Sequence, residues 1–383
     1  MPEKKKKKID LKKYIPFVFS ILIGGVCGAL IIKYMGSASD AEKTLGESLW
    51  LILVLILQLY AALFLQIVIH EAGHLIFGLM TGYRYSSFRV GSFMWVKEHG
   101  RLKFKLLSVA GTGGQCLMVP PEAPDGEIPF VLYNLGGSII NIASSIIFLG
   151  LYFILRDIPY ASGFFLLLSM IGFAFALLNG IPMKFGLVNN DGHNAMSLGK
   201  DREALRSFVL QLKVVEQTSN GVRLKDMPEE WFVIPPTEEM KSSMTAAMGT
   251  SACNRLMDGH SFEEADRLME KLVETGALLG LHRNLIICDR IYCELIGENR
   301  QTVLEAMLDK QQKKMMKAMK NFPPILRTEY SYALLAEKDM EKAERIKKQF
   351  EKAARSYPYQ CDIESERELI DIANLAAEGQ KLQ

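Results

Sequence analysis

Leu63-Phe64-Leu65-Gln66-Ile67-Val68-Ile69-His70-Glu71-Ala72-Gly73-His74-Leu75-Ile76-Phe77 is the stretch on which the reading of this 383-residue chain turns. It lies inside an apolar run from about Ser48 to Met80, longer than the roughly 20 helical residues needed to cross the hydrocarbon core of a bilayer. Yet the run carries Gln58, Gln66, His70, Glu71 and His74. Ionisable side chains inside a spanning helix are costly and are kept there for function or for a polar contact with a neighbouring helix. Three of them within five positions are hard to account for by packing.

Outward from that helix, Tyr14 to Tyr34, Phe130 to Leu155 and Tyr160 to about Leu178 are further apolar segments of spanning length, the last two separated by Arg156-Asp157-Ile158-Pro159. The segment Ile15 to Ile32 is long for a signal-peptide core and shows no small-x-small cleavage site, so it reads as a retained helix. Four transmembrane helices are expected. Lys4 to Lys8, Lys12 and Lys13 precede the first span, and Arg84, Arg89, Lys97, Arg101, Lys103 and Lys105 lie between the second and third. The external loop, Met35 to Glu47, has only Lys43 against Asp40, Glu42 and Glu47. Positive residues stay on the cytoplasmic side, so both termini are expected there, in an integral protein of a bacterial cell membrane.

Between Tyr83 and Met118 the hydrophobic period shortens to two. Phe93 and Trp95, then Leu102, Phe104 and Leu106, alternate with polar residues around a Glu98-His99-Gly100 turn. This predicts a small cytoplasmic β-hairpin lying against the membrane surface, with a further extended piece at Gln115 to Val119 and a loop from Pro120 to Pro129. Beyond Lys200 the composition becomes charged and helix-forming. Ser261–Leu272, Leu281–Leu295, Thr302–Met319, Leu326–Ala336, Met340–Tyr357 and Glu364–Ala377 read as successive amphipathic helices. Thr218 to Pro236 reads as a non-helical connector. Leu335 to Pro358 resembles the second half of a tetratricopeptide unit, against a plain helical bundle as the alternative.

The fold class is therefore a mainly α polytopic membrane protein with a small β-hairpin and a C-terminal α-helical soluble domain. The expected organisation is residues 1–47 as tail, first span and external loop, 48–199 as the membrane core and 200–383 as the cytoplasmic helical domain. A formal net charge of +2 offers no bulk field for nucleic acid. Six cysteines without a C-x-x-C pair suggest neither a zinc ribbon nor a disulfide framework. No phosphate loop or dinucleotide fingerprint occurs.

Residues four apart share a helix face, so His70 and His74 can offer two imidazoles to one zinc ion, with Glu71 beside them to take a proton from a zinc-activated water. If the helix leaves the membrane near Met80, His70 lies about 15 Å inside the cytoplasmic face, and a hydrolytic site there needs a water-filled cleft. A third ligand should come from a segment ending on the same side, as the fourth span does. After that span come Asn179-Gly180-Ile181-Pro182 and Asn190-Asp191-Gly192.

His70-Glu71-Ala72-Gly73-His74 together with this Asn-x-x-Pro and Asp-Gly stretch resembles the site-2 protease family of intramembrane zinc metalloproteases, over about residues 48–195. The resemblance implies Zn2+ as cofactor, His70, His74 and Asp191 as its ligands, Glu71 as the catalytic base, and cleavage of a membrane-anchored peptide or protein substrate in or beside its span. Asn190 and His193 are weaker ligand candidates. Asn141, in Gly137-Ser138-Ile139-Ile140-Asn141, matches a family element in which a proline stands where this chain has Ser138. It is read as a contact to substrate or as a pin between two helices, and Asn179 and Pro182 are read beside the substrate. The family's gap before Asp-Gly is short, whereas Met183 to Asn190 intervene here. The hairpin offers an edge, Tyr83 to Leu106, on which an unwound substrate strand could pair, and residues 200–383 are expected to bind a cytoplasmic protein partner. The competing reading is a non-enzymatic membrane adaptor or export and assembly protein with a structural or vestigial metal site. A zinc transporter, which would line several spans with metal-binding polar residues, is disfavoured by the first span, Ile15 to Ile32, which offers no such row.

Overall fold

The computed structural model describes residues 15–36, 44–109, 112–122, 128–185, 188–236, 240, 242–278 and 280–381. The basic tail, most of the external loop and the middle of the 120–129 loop lie outside these residues. The chain divides into two compact units, the first built from residues up to 81 with 129–184 and 189–196, the second from 82–128, 185–188 and 197–383.

The first unit is helical. Helices α1 (Ile15–Gly36), α2 (Leu45–Met80), α3 (Phe130–Ile154) and α4 (Pro159–Gly180) pack together, and the short helix α5 (Asp191–Ser197) follows. Three of them, α2, α3 and Tyr160–Gly180 of α4, are long and apolar enough to cross a membrane. The apolar described part of α1, Ile21–Leu30, is shorter than a span. At 36 residues α2 is about 54 Å long, well beyond the ~30 Å that a hydrocarbon core requires. Thr44 starts it with a reciprocal capping box to Glu47.

The burial of α2 is inverted relative to a soluble helix. Its covered stripe is Leu51, Leu55, Ala62, Gln66, His70, His74 and Gly78, recurring every four residues or a near multiple of that, with Glu71 and Gly73 also covered beside it, so the polar groups lie inward. Leu49, Trp50, Leu53, Ile56, Leu57, Tyr60 and Phe64 face outward and are exposed. Such a surface suits lipid and would be a liability in water. Inside the unit, Leu30, Leu51, Leu55, Ala62, Leu167, Leu168 and Ile171 form the apolar core. α2 and α3 cross backbone to backbone: a Cβ added at Gly136 would lie 2.6 Å from the Gly73 carbonyl oxygen, and one at Gly73 would collide with that of Gly136. Small residues at a crossing are what permit this approach between membrane helices.

The second unit holds a four-stranded antiparallel sheet, order β3-β2-β1-β4, from β1 (Arg84–Val90), β2 (Phe93–Glu98), β3 (Arg101–Leu106) and β4 (Gly114–Val119). The expected hairpin is β2 and β3, paired Phe93 to Leu106 through Glu98 to Arg101 about the His99-Gly100 turn, where both residues have positive φ (48° and 80°). The sheet extends it by β1, which pairs with both β2 and β4 and bulges between Tyr85 and Ser87. Arg89 of β1 is buried and donates to the carbonyl of Gly91 and the hydroxyl of Thr112, so an inward charged residue is satisfied locally.

Helices α6 (Arg202–Ser219), α7 (Ser243–Asp258), α8 (Phe262–Glu274), α9 (Gly280–Ile296), α10 (Gln301–Met307), α11 (Lys310–Ala318), α12 (Pro323–Ser331), α13 (Met340–Ala354) and α14 (Gln360–Lys381) make up the rest. The sheet packs with these helices. Leu106 N donates to Ser356 O, His99 N to Asn220 Oδ1, and Arg84 pairs with Glu216. The helix expected over Thr302–Met319 is two helices, because Asp309 caps α11 by accepting from Gln312 N. The connector after α6 contains two short 3-10 turns, Leu224–Asp226 and Glu229–Trp231. All six cysteines are free.

Candidate metal centre

His70 and His74 lie one turn apart on the covered face of α2, and both are 7% exposed. Their Nε2 atoms are 3.2 Å from each other. Asp191, the first residue of α5, places Oδ2 3.1 Å from His70 Nε2 and 3.3 Å from His74 Nε2. Three ligand atoms thus form a nearly equilateral triangle. A tetrahedral zinc ion bonded at about 2.0–2.1 Å to nitrogen and oxygen requires ligand-to-ligand edges of roughly 3.3–3.4 Å, so the triangle has the size of one face of such a site. It is the one group of three His, Cys, Asp or Glu residues among the described residues whose ligand atoms converge in this way.

The other ring nitrogens show why those atoms point together. His70 Nδ1 lies 2.6 Å from Asn141 Oδ1, and His74 Nδ1 lies 2.8 Å from the carbonyl oxygen of Tyr133. An oxygen acceptor fixes the proton on Nδ1, which leaves a lone pair on Nε2. Two imidazole lone pairs and a carboxylate oxygen then face one another across about the width of an ion. A bound cation would relieve that arrangement, and the donor set of two imidazoles and a carboxylate suits Zn2+.

The acceptor that orients His70 is itself oriented. Asn141 is fully buried, and its Nδ2 donates to Gln66 Oε1 at 2.7 Å. Gln66, also fully buried, donates its own Nε2 to Leu168 O of α4 at 2.8 Å. A single chain of hydrogen bonds therefore runs from α4 through α2 and α3 to His70. Of the two readings of Asn141, this places it as the pin between helices, with both ends of its amide spent on protein groups. Space for the His70 ring is made by Gly137: a Cβ there would lie 2.5–2.7 Å from three imidazole atoms.

Asp191 reaches the histidines despite the long intervening loop, because Asn190 closes the loop at its base. Its Oδ1 accepts from Met183 N and His193 N, and its Nδ2 donates to the carbonyls of Leu178 and Ile181. Asn190 is a clamp here, and His193 lies outside the three-atom group. Gly192 lets α5 abut the end of α4, since a Cβ would run into the Gly180 carbonyl. Glu71 is buried at 7% exposure, next to His70 in the sequence and three residues before His74. Asn179 and Pro182 are half-buried, and Asn179 donates to Phe175 O of its own helix. Ser138 packs beside Gly180.

No protein-family model matches the chain, and no curated protein or solved structure does either.

Gln66, Gly137 and the Tyr133 carbonyl were not assigned a role from the sequence, and Asn190, read there as a weaker ligand candidate, holds the loop instead. Gln66 could have been found from its i, i+4 spacing to His70, which puts it on the same face. A backbone carbonyl has no such signature.

Proposed function

We propose that this chain is an intramembrane zinc metalloendopeptidase of the site-2 protease kind, hydrolysing a peptide bond in or beside a membrane-spanning segment to release a peptide or regulator. The observation that carries the reading is the convergence of His70 Nε2, His74 Nε2 and Asp191 Oδ2 at 3.1–3.3 Å beside a buried carboxylate, on helices whose outer faces are apolar. Zinc bound there would acidify a water and polarise the scissile carbonyl. His70 and His74 supply neutral nitrogen ligands, their tautomers set by Asn141 and by Tyr133 O, and Asp191 supplies negative charge. Glu71, adjacent in sequence to one ligand and three residues before the other, would serve as the base that takes a proton from the attacking water and the acid that returns it to the amine nitrogen leaving with the broken C–N bond.

The test is Glu71→Gln in the full chain. It should retain bound zinc while cleavage of membrane-anchored fragments, compared by peptide mass spectrometry between cells carrying either form, falls about 10²–10⁴-fold. An unchanged set of fragments at unchanged rates would remove the protease reading, whether or not zinc is bound.

A further inference from the structure

The helices of the second unit enclose a cavity of about 270 Å³ between α6, α7, α9, α12 and α14. It is small beside the roughly 300–1,000 Å³ of pockets for drug-sized ligands, and suits a single side chain or a small metabolite. Its wall has two guanidinium groups, Arg223 and Arg327, against four carboxyl groups, Asp258, Asp289, Asp362 and Glu366.

Three of the four acids are partnered. Arg327, 1% exposed, pairs with Glu366 at 2.9 Å and with Asp289, and it stacks over the Tyr292 ring at 4.7 Å. Arg223 pairs with Asp258 at 2.5 Å and also with Glu368. Both arginines are therefore already shared between two acids. Asp362 differs. It is half-buried and lines the cavity, and the hydrogen-bonding contact its side chain makes among the described residues is a weak one from the Cys361 thiol at 3.9 Å. A partly desolvated carboxylate without a cation beside it is costly. The acids do not converge as ligands of a metal ion, since His70, His74 and Asp191 form the one such group among the described residues. Tyr357, Tyr359, Phe322 and Leu369 supply aromatic and apolar wall, which suits an organic cation on an apolar stem.

We propose that this cavity is a binding site for one guanidinium group carried on an apolar stem, with Asp362 as its counter-ion. Two sources carry that chemistry, the side chain of an arginine in a peptide and a free small guanidine. The site is independent of the metal centre and of the protease reading. It gives the helical half of the chain a ligand of its own.

The experiment uses the full chain in phosphatidylcholine nanodiscs, titrated by calorimetry with agmatine and, separately, with acetyl-Gly-Arg-Gly-amide. The same peptide with citrulline replacing arginine is the neutral control. One or both guanidines should bind, and citrulline should not. Binding of agmatine alone identifies the free amine as the source, and tighter binding of the peptide identifies an arginine side chain. Asp362→Asn, which keeps the shape and removes the charge, should weaken binding at least tenfold. Ser251→Leu, which narrows the cavity without touching a charge, should do the same. Zinc content and the thermal melting profile serve as checks that each variant is folded. No binding of either guanidine to the wild-type chain, equal binding of citrulline, or unchanged binding in folded Asp362→Asn would each overturn the proposal.

Discussion

Replacing Gln66 by Met should weaken zinc binding although Gln66 touches no ligand atom. Gln66 Nε2 is committed to Leu168 O, so Gln66 turns Oε1 toward Asn141 Nδ2, and Asn141 must in turn present Oδ1 to His70 Nδ1. Methionine keeps the approximate volume and removes both polar atoms. Asn141 then loses an acceptor worth about 0.5–1.5 kcal/mol and can rotate its amide, presenting N–H to His70. That rotation favours the tautomer with the proton on Nε2, which cannot ligate. At 1.4 kcal/mol per tenfold, the zinc Kd should rise about tenfold. Asn141→Leu removes the acceptor itself and should cost toward the hundredfold end of what such orienting partners contribute. Since both residues act along one chain, the double variant should bind zinc no more weakly than Asn141→Leu alone. The assay is competition with a chromophoric chelator at fixed pH, on protein carrying Glu71→Gln so that proteolysis plays no part. Additive losses, or an unchanged Kd in Gln66→Met, would refute the relay.

Gly137→Ala forces a methyl group into the His70 ring and should lower zinc affinity at least tenfold, with an overpacking penalty of about 1–3 kcal/mol visible in thermal melting; wild-type affinity would show that the ring has room to move. Asp191→Asn retains the shape but loses the anionic ligand, and chelator competition should show a larger loss than any of the orienting changes above. Asp362, whose carboxyl is pushed up to about 7 by burial and by Glu366 and Asp258, should make the wild-type helical region less stable as pH rises from about 4 through 7. The sign follows because the folded state holds the proton more tightly than the unfolded chain, so stability is greatest at low pH and is lost as the group ionises. Three pH units correspond to about 4 kcal/mol, so without added guanidine Asp362→Asn should slow hydrogen exchange in α14 relative to wild type at pH 8 and leave it nearly equal at pH 4.5. Equal exchange of the two proteins at pH 8 would show that Asp362 is already compensated.

What could be read from the sequence and what could not divide along a physical line. His70, Glu71 and His74 were legible because four residues of helix bring them together, and the three long spans because hydrocarbon selects a continuous apolar run. The helical region after Lys200 was legible from its period, but the break at Leu308-Asp309 was not, although Asp309 followed three residues later by Gln312 is a local cap signal that the periodic Met and Leu residues masked. Strand β1 was obscured because three of its four buried residues, Ser86, Ser87 and Arg89, are polar groups covered only in the folded sheet. Asn141 was visible as an amide inside a span, yet sequence alone left substrate and helix contact open. The choice depends on which atom meets His70, and that is set by Leu168, on a third helix. Asp191 belongs to the same class. Its approach to the histidines depends on Asn190 holding four backbone groups across the 178–193 segment, whose separation in space no spacing rule encodes. A metal site in such a protein is thus assembled from one local motif and a set of helix-to-helix hydrogen bonds. The second part carries the specificity of geometry, because the Gln66 and Asn141 amides are held by the bonds at both of their ends, and a change at either link propagates to the ligand atom.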